Sequence, residues 1–132
     1  MTHEVYICYN EKDQAIADDI CTALEENSIK CWFKARDLGV GHLMDEIITA
    51  ISCSELMILV FSKNVQDSHF VNTEVDIAFS EDLQILIYKI DESPLEGSLG
   101  FFLQNKACLD VSENPKDNIE LLLNETYKLL GK

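Results

Sequence analysis

Six consecutive apolar residues, Leu56-Met57-Ile58-Leu59-Val60-Phe61, constrain this chain more than any other feature. A strand with one face in water alternates apolar and polar residues. An unbroken run of this length, bounded by Ser54-Glu55 and Ser62-Lys63-Asn64, belongs instead to a strand covered on both faces. Such strands sit in parallel sheets, where crossover helices clothe both sides.

The flanking sequence supplies those crossovers. Residues 4 to 9 (EVYICY) alternate and predict a first strand, and Asn10 to Asp13 predict a helix cap with an acid at the third helical position. From Asp13 to Asn27 the set Ile16, Ile20, Ala23 and Leu24 forms one helical stripe. Ile29 to Phe33 predicts a second strand, followed by a polar turn from Lys34 to Gly41 whose glycines permit an irregular path. Leu43, Ile47, Ile48 and Ile51 stripe a second helix. After the central strand come a loop at Ser62 to Asp67, an N-cap at Ser68 and a third helix over Phe70 to Ser80 with Val71, Val75, Ala78 and Phe79 inward. Gln84 to Ile90 predicts a fourth strand, Leu95 to Leu103 an irregular or helical connector, and Ala107 to Val111 a fifth strand. Asn114-Pro115 opens a last helix with Ile119, Leu122, Leu123 and Leu130 facing in.

Strands and helices thus alternate five times. Right-handed crossovers turn that order into a flavodoxin-like, doubly wound five-stranded parallel sheet, expected order 2-1-3-4-5, with helices on both faces. At 132 residues one domain over 1–132 is expected. In this architecture ligands bind outside the carboxyl ends of the strands, where the winding reverses between the first and third. Tyr9 to Asp13, Lys34 to Gly41 and Ser62 to Glu74 should surround that crevice.

Charge narrows the partners. Ten basic and twenty-four acidic residues give a net charge of −14, which repels phosphate backbones and anionic lipid surfaces, so nucleic acid and membrane are not expected partners. No apolar run approaches the ~18 residues of a spanning helix, and the start, Met-Thr-His-Glu-Val, lacks a signal-peptide pattern; a cytoplasmic location is expected. Five cysteines (Cys8, Cys21, Cys31, Cys53, Cys108) form an odd set without a C-x-x-C pair or a metal-spaced histidine, and read as reduced, mostly buried core filler rather than a disulfide or metal framework.

Three familiar occupants of the crevice lack their key residues. The third strand ends Leu59-Val60-Phe61-Ser62 with no phospho-accepting acid, and the first is followed by Tyr9-Asn10-Glu11-Lys12 rather than a glycine-rich dinucleotide or phosphate loop. No nucleophile elbow accompanies His3, His42 or His69. One residue breaks its local pattern. At 100° per residue, Phe70 and Ile77 lie to one side of Glu74 and Val71 and Ala78 to the other, so a carboxylate stands in the middle of an apolar face. It is either a site residue or a rim residue bonded to a backbone amide or to Lys63. If no cation pairs with it, neutralising it should leave stability unchanged or raise it.

The stretches EVYICYNEKD, IKCWFKARDLGVGHLMDEIITAI, ELMILVFSKN and SHFVNTEVDIA, in that order and spacing, resemble the TIR (Toll/interleukin receptor) domain of the prokaryotic NAD-cleaving type, and SLGFFLQNKACLDV resembles its tail segment. The resemblance implies one of two functions. Many such domains cleave the nicotinamide–ribose bond of NAD+, giving nicotinamide and linear or cyclic ADP-ribose, in signalling or defence; others are non-enzymatic TIR–TIR adaptors. In the enzymatic members a glutamate on the third helix follows an aromatic or apolar residue by four positions, which matches Phe70 and Glu74 and implies that Glu74 is catalytic. The resemblance further implies substrate contacts from Tyr9, Lys34, Arg36 and Phe70, and self-association, or pairing with other TIR proteins, through a loop containing Asp37, Leu38, Gly39 and Gly41. NAD+ is then the substrate, with no cofactor or metal. Two positions depart from the family pattern: Lys34 stands where an acid is frequent, and Phe70 where a tryptophan is common.

Overall fold

The computed structural model describes residues 3–39, 41, 43–66 and 68–132. Val40 of the expected turn, Asp67 at the expected end of the next loop, and His42 lie outside the described residues. Five parallel strands, β1 (Val5–Cys8), β2 (Cys31–Phe33), β3 (Leu56–Phe61), β4 (Gln84–Lys89) and β5 (Ala107–Asp110), form one sheet in the order β2-β1-β3-β4-β5. The central register pairs Val5 with Leu56 and Leu56 with Gln84. The helices are α1 (Gln14–Glu26), α2 (Lys34–Asp37), α3 (Leu43–Ser52), α4 (His69–Ser80), α5 (Gly97–Leu103) and α6 (Ile119–Leu130).

Because side chains alternate along a strand, the sheet separates two cores. On one face Val5, Ile7, Ile58, Val60 and Leu86 pack on Ile20 and Leu24 of α1 and Leu122 of α6. On the other, Tyr6, Cys8, Met57, Leu59 and Ile87 pack on Ile47 and Ile51 of α3, Val71 and Val75 of α4, and Leu99 and Leu103 of α5. The sheet is doubly wound, and all six residues of β3 are fully buried, as its uninterrupted apolar run requires.

The structure corrects several local expectations. Lys34 to Asp37 is a turn of α-helix rather than an irregular loop: the Leu38 N–H closes it on the Lys34 carbonyl at 3.1 Å, and Asp37 Oδ2 accepts the Phe33 N–H at 2.8 Å, satisfying a donor at its start. Asn10 caps a 3₁₀ turn, Glu11–Asp13, that leads into α1, so the α-helix starts at Gln14. The buried stripe of α1 runs through Ala17 and Cys21, with Ile16 and Ala23 only half-buried beside it. On α3 the arc facing the sheet takes Ile47, Ala50 and Ile51, which leaves Leu43 and Ile48 exposed, and on α4 Phe79 is likewise exposed. Cys8, Cys21 and Cys31 are buried free thiols, but Cys53 ends a helix and Cys108 points outward from edge strand β5, so both are exposed.

Candidate active site

The Ser68 hydroxyl caps α4 by accepting the Val71 N–H, which fixes where the helix starts and therefore which face Glu74 presents. That face meets the sheet at Tyr6, and Glu74 is 1% exposed. Its Oε1 accepts the Tyr6 hydroxyl at 2.8 Å and its Oε2 accepts Lys34 Nζ at 2.6 Å. An isolated buried carboxylate is very costly; this one is satisfied by a phenol donor and an ammonium. Lys34 reaches in from the first position of α2 and keeps 24% of its side chain exposed, so it forms the boundary between Glu74 and solvent. Lys63, the other cation considered, is not among the partners of Glu74: both oxygens go to Tyr6 and Lys34, and the exposed Lys63 backbone N–H donates to Asp91. Burial, reinforced by the charge of Glu74, pushes the Tyr6 phenol far above its ordinary value, so Tyr6 acts as a fixed donor. The same two causes push the Cys8 thiol up, which removes it as a nucleophile.

Above Lys34 opens a crevice of about 490 Å³ at the carboxyl ends of β1 and β2, a size that suits a small ligand or part of a dinucleotide. Tyr9, Lys34 and Phe70 line it with Leu38, Leu43 and Ser68. The ring of Phe70, one helical turn before Glu74, is 47% exposed and lies 5.3 Å from Lys34 Nζ, a cation held over an aromatic face. Tyr9 is a buried wall, stacked on Phe33 at 5.2 Å, with its hydroxyl accepting the Ala35 N–H at 3.1 Å. Burial raises the Tyr9 phenol, so it too is a neutral hydrogen-bonding group.

Arg36 leaves α2 on the opposite side. It pairs with Glu25 at 2.5 Å and Asp37 at 2.7 Å and donates to the Cys31 carbonyl at 2.8 Å. Glu25 accepts the Cys31 N–H and Asp37 the Phe33 N–H. These are outward-facing backbone groups of edge strand β2, so the three charges cap the free edge of the sheet. They also line a larger groove of about 720 Å³, where they are spent on one another and on backbone.

A family model of the TIR domain matches residues 5–123. The chain belongs to the TIR-domain family. The TIR domain of the Toll-related receptor TRR-2 from Hydra magnipapillata superposes with a TM-score of 0.82 at 23% identity, over 99% of this chain and 100% of that one. TIR domains of the activated Roq1 resistosome give 0.63 at 16% identity, over 98% and 84%. The CMP N-glycosidase BcmB of Clostridium botulinum gives 0.65 at 15%, over 90% and 98%. At these identities the likeness is one of fold, and flavodoxin-like domains share it. A search of curated protein sequences found no match. The family includes both NAD-cleaving enzymes and adaptors.

In this TIR domain, four of the residues picked out in the sequence, Glu74, Lys34, Tyr9 and Phe70, come together at one place. Glu74 lies under the crevice rather than in its wall, with Lys34 between. Arg36, expected beside them, is directed away because three acceptors on the β2 edge hold it. Of the expected association loop, Leu38 lines the crevice, Asp37 belongs to the edge cap, and the exposed Gly39 N–H donates to Glu46 Oε1 at 2.9 Å. Gly41, also exposed, has φ +154, a conformation open to glycine.

Sequence reasoning missed Tyr6, because a tyrosine inside a strand of alternating apolar residues reads as core. It also missed a buried network at the winding reversal. Asp13 Oδ2 accepts the Ser62 hydroxyl at 2.5 Å and Asp13 Oδ1 accepts Asn64 Nδ2 at 3.0 Å, tying the loop after β1 to the loop after β3. The signal was the serine directly after the apolar run of β3; its partner, forty-nine residues earlier, had none.

Proposed function

We propose that this TIR domain is an NAD+ glycohydrolase with Glu74 as its catalytic carboxylate. The observation that carries this reading is Glu74 itself: a buried charge on an apolar helix face, oriented by Tyr6 beside a crevice at the winding reversal. Folding gains little from an acid at that position, because an apolar residue would pack there without desolvation.

The reaction needs one such group. When the C1′–N bond breaks, its electron pair passes to the nicotinamide nitrogen, and the pyridinium becomes a neutral leaving group that needs no acid. Positive charge develops at C1′ and its ring oxygen, where an oriented carboxylate is stabilising. Water then adds to C1′ and loses a proton, so NAD+ and water give nicotinamide, ADP-ribose and a proton. Capture by the adenine of the same molecule in place of water gives the cyclic product. Phe70 offers an exposed ring for stacking, Tyr9 shapes part of the wall, and Lys34 is the cation available for phosphate.

A second copy of the chain, or another TIR protein, would dock through the Asp37–Gly41 loop, and activity per molecule would then rise with concentration. The adaptor reading has one observation on its side: both oxygens of Glu74 are engaged within the chain. Nicotinamide release from NAD+ by purified protein, followed over a hundredfold concentration range, separates the two. Release that grows faster than concentration supports an assembly-dependent enzyme, and no release at any concentration supports the adaptor.

A further inference from the structure

Lys34 and Glu74 form a closed pair in the middle of a site whose chemistry requires the pair to be open. An ammonium 2.6 Å from Oε2 cancels the charge that would stabilise the cation developing at C1′, and itself repels that cation. Lys34 is also the one cation among the described residues lining the crevice, in a chain of net charge −14 that repels anions elsewhere. Its four-carbon stem has rotatable bonds throughout, about a quarter of the side chain is exposed, and its ammonium carries donors beyond the one given to Glu74.

We infer that Lys34 is the specificity-determining residue of this site, an exchangeable counter-ion that leaves Glu74 for the phosphate of the substrate, so that the enzyme selects nucleotides over nucleosides. This rests on the glycohydrolase reading above. A phosphate arriving over Phe70 competes with the carboxylate for the same ammonium; moving Lys34 across holds the substrate and frees Oε2 in one step. Phosphate therefore acts on kcat as well as on KM, because the interaction it triggers is realised at the reacting carbon. A nucleoside fills the base and ribose positions and leaves Glu74 masked.

The test compares nicotinamide release from NAD+, nicotinamide mononucleotide and nicotinamide riboside by wild type, Lys34→Ala and Lys34→Gln. The glutamine keeps a donor to Glu74 without the charge and serves if the alanine variant folds poorly. Wild type should favour the mononucleotide over the riboside by roughly tenfold to a hundredfold in kcat/KM, the worth of one hydrogen bond to a charged group, with part of the difference in kcat. Both variants should shrink that ratio about tenfold or more, losing on the mononucleotide and gaining on the riboside. Inorganic phosphate added to wild type should accelerate riboside cleavage and should not do so in Lys34→Ala. A ratio that is the same with and without Lys34 overturns the inference while leaving the glycohydrolase reading intact. If wild type cleaves none of the three, that reading fails, and ribose 5-phosphate binding, followed by the amide signals of Ala35 and Phe70, still decides the role of Lys34. Shifts seen in wild type and lost in both variants support it; equal shifts in all three proteins overturn it.

Discussion

Lys34 and Arg36 leave the same helical turn in opposite directions and do different work. Lys34 crosses to Glu74, forty positions away and buried, at a place where no backbone group needs it. Arg36 stays local, joining Glu25, Asp37 and the Cys31 carbonyl on an exposed strand edge where each contact satisfies folding. The first pair burdens the fold and faces a crevice; the second protects a sheet edge. A cation that holds a buried acid beside a cavity points to chemistry, whereas one that caps a strand points to structure, even two residues apart.

The sharpest test of that contrast is Glu74→Gln, which should lower nicotinamide release at least about a hundredfold, the usual loss when a ~3 kcal/mol electrostatic contribution is removed. Near wild-type cleavage in a folded variant would remove Glu74 from the mechanism. Stability should fall by about 1 kcal/mol, read as a lower thermal midpoint, because the amide turns a donor toward the Lys34 ammonium while Tyr6 keeps an acceptor. This reverses the expectation from sequence that neutralising Glu74 costs nothing: that expectation required an unpaired acid, and Lys34 pairs it.

Next in size is Lys34→Ala, which leaves the Glu74 carboxylate without its cation. Breaking a fully buried pair costs ~3–5 kcal/mol; with Lys34 a quarter exposed and water able to enter, about 2 kcal/mol is expected from urea unfolding. Arg36→Ala should cost less, about 0.5–1 kcal/mol, since Arg36 is nearly half exposed, its acid partners are about a third exposed, and the freed Cys31 carbonyl can be hydrated. It should also leave nicotinamide release within about twofold of wild type, the margin of a surface substitution. If Arg36→Ala proved more damaging to turnover than Lys34→Ala, the division between the two sides of α2 would be wrong.

The smallest effect is the pH dependence of the edge cap. Burial pushes the Asp37 carboxyl up, but hydrogen bonds from Arg36 and from the Phe33 N–H outweigh it and hold Asp37 below the ordinary carboxylate range. A depressed folded value stabilises the native state above the unfolded value of about 4, and that contribution disappears as pH falls through the folded value. The stability difference between wild type and Asp37→Asn should therefore be full at pH 7 and shrink as the pH drops below about 4. Urea midpoints at several acidic pH values read this directly, and a difference that stays constant into strong acid would argue against the cap.

What the sequence determined by itself follows from periodicity and local chemistry. The run Leu56–Phe61 demanded a doubly covered strand, its neighbours supplied the crossovers, and the order β2-β1-β3-β4-β5 came with them. Ser68 announced its cap, and Glu74 stood out because a charge in the centre of an apolar arc is visible at 100° per residue. Distant polar partners leave no such trace. Tyr6 and Lys34 meet Glu74 across sixty-eight and forty residues, and Asp13 meets Ser62 across forty-nine, with no spacing rule to link them. Whether the turn after β2 would coil, and to which side each of its two cations would swing, depended on acceptors supplied by other elements. Only the tertiary structure could decide that Glu74 is held under a lysine, because a side chain's partner is set by where packing brings the elements together, not by the residues beside it.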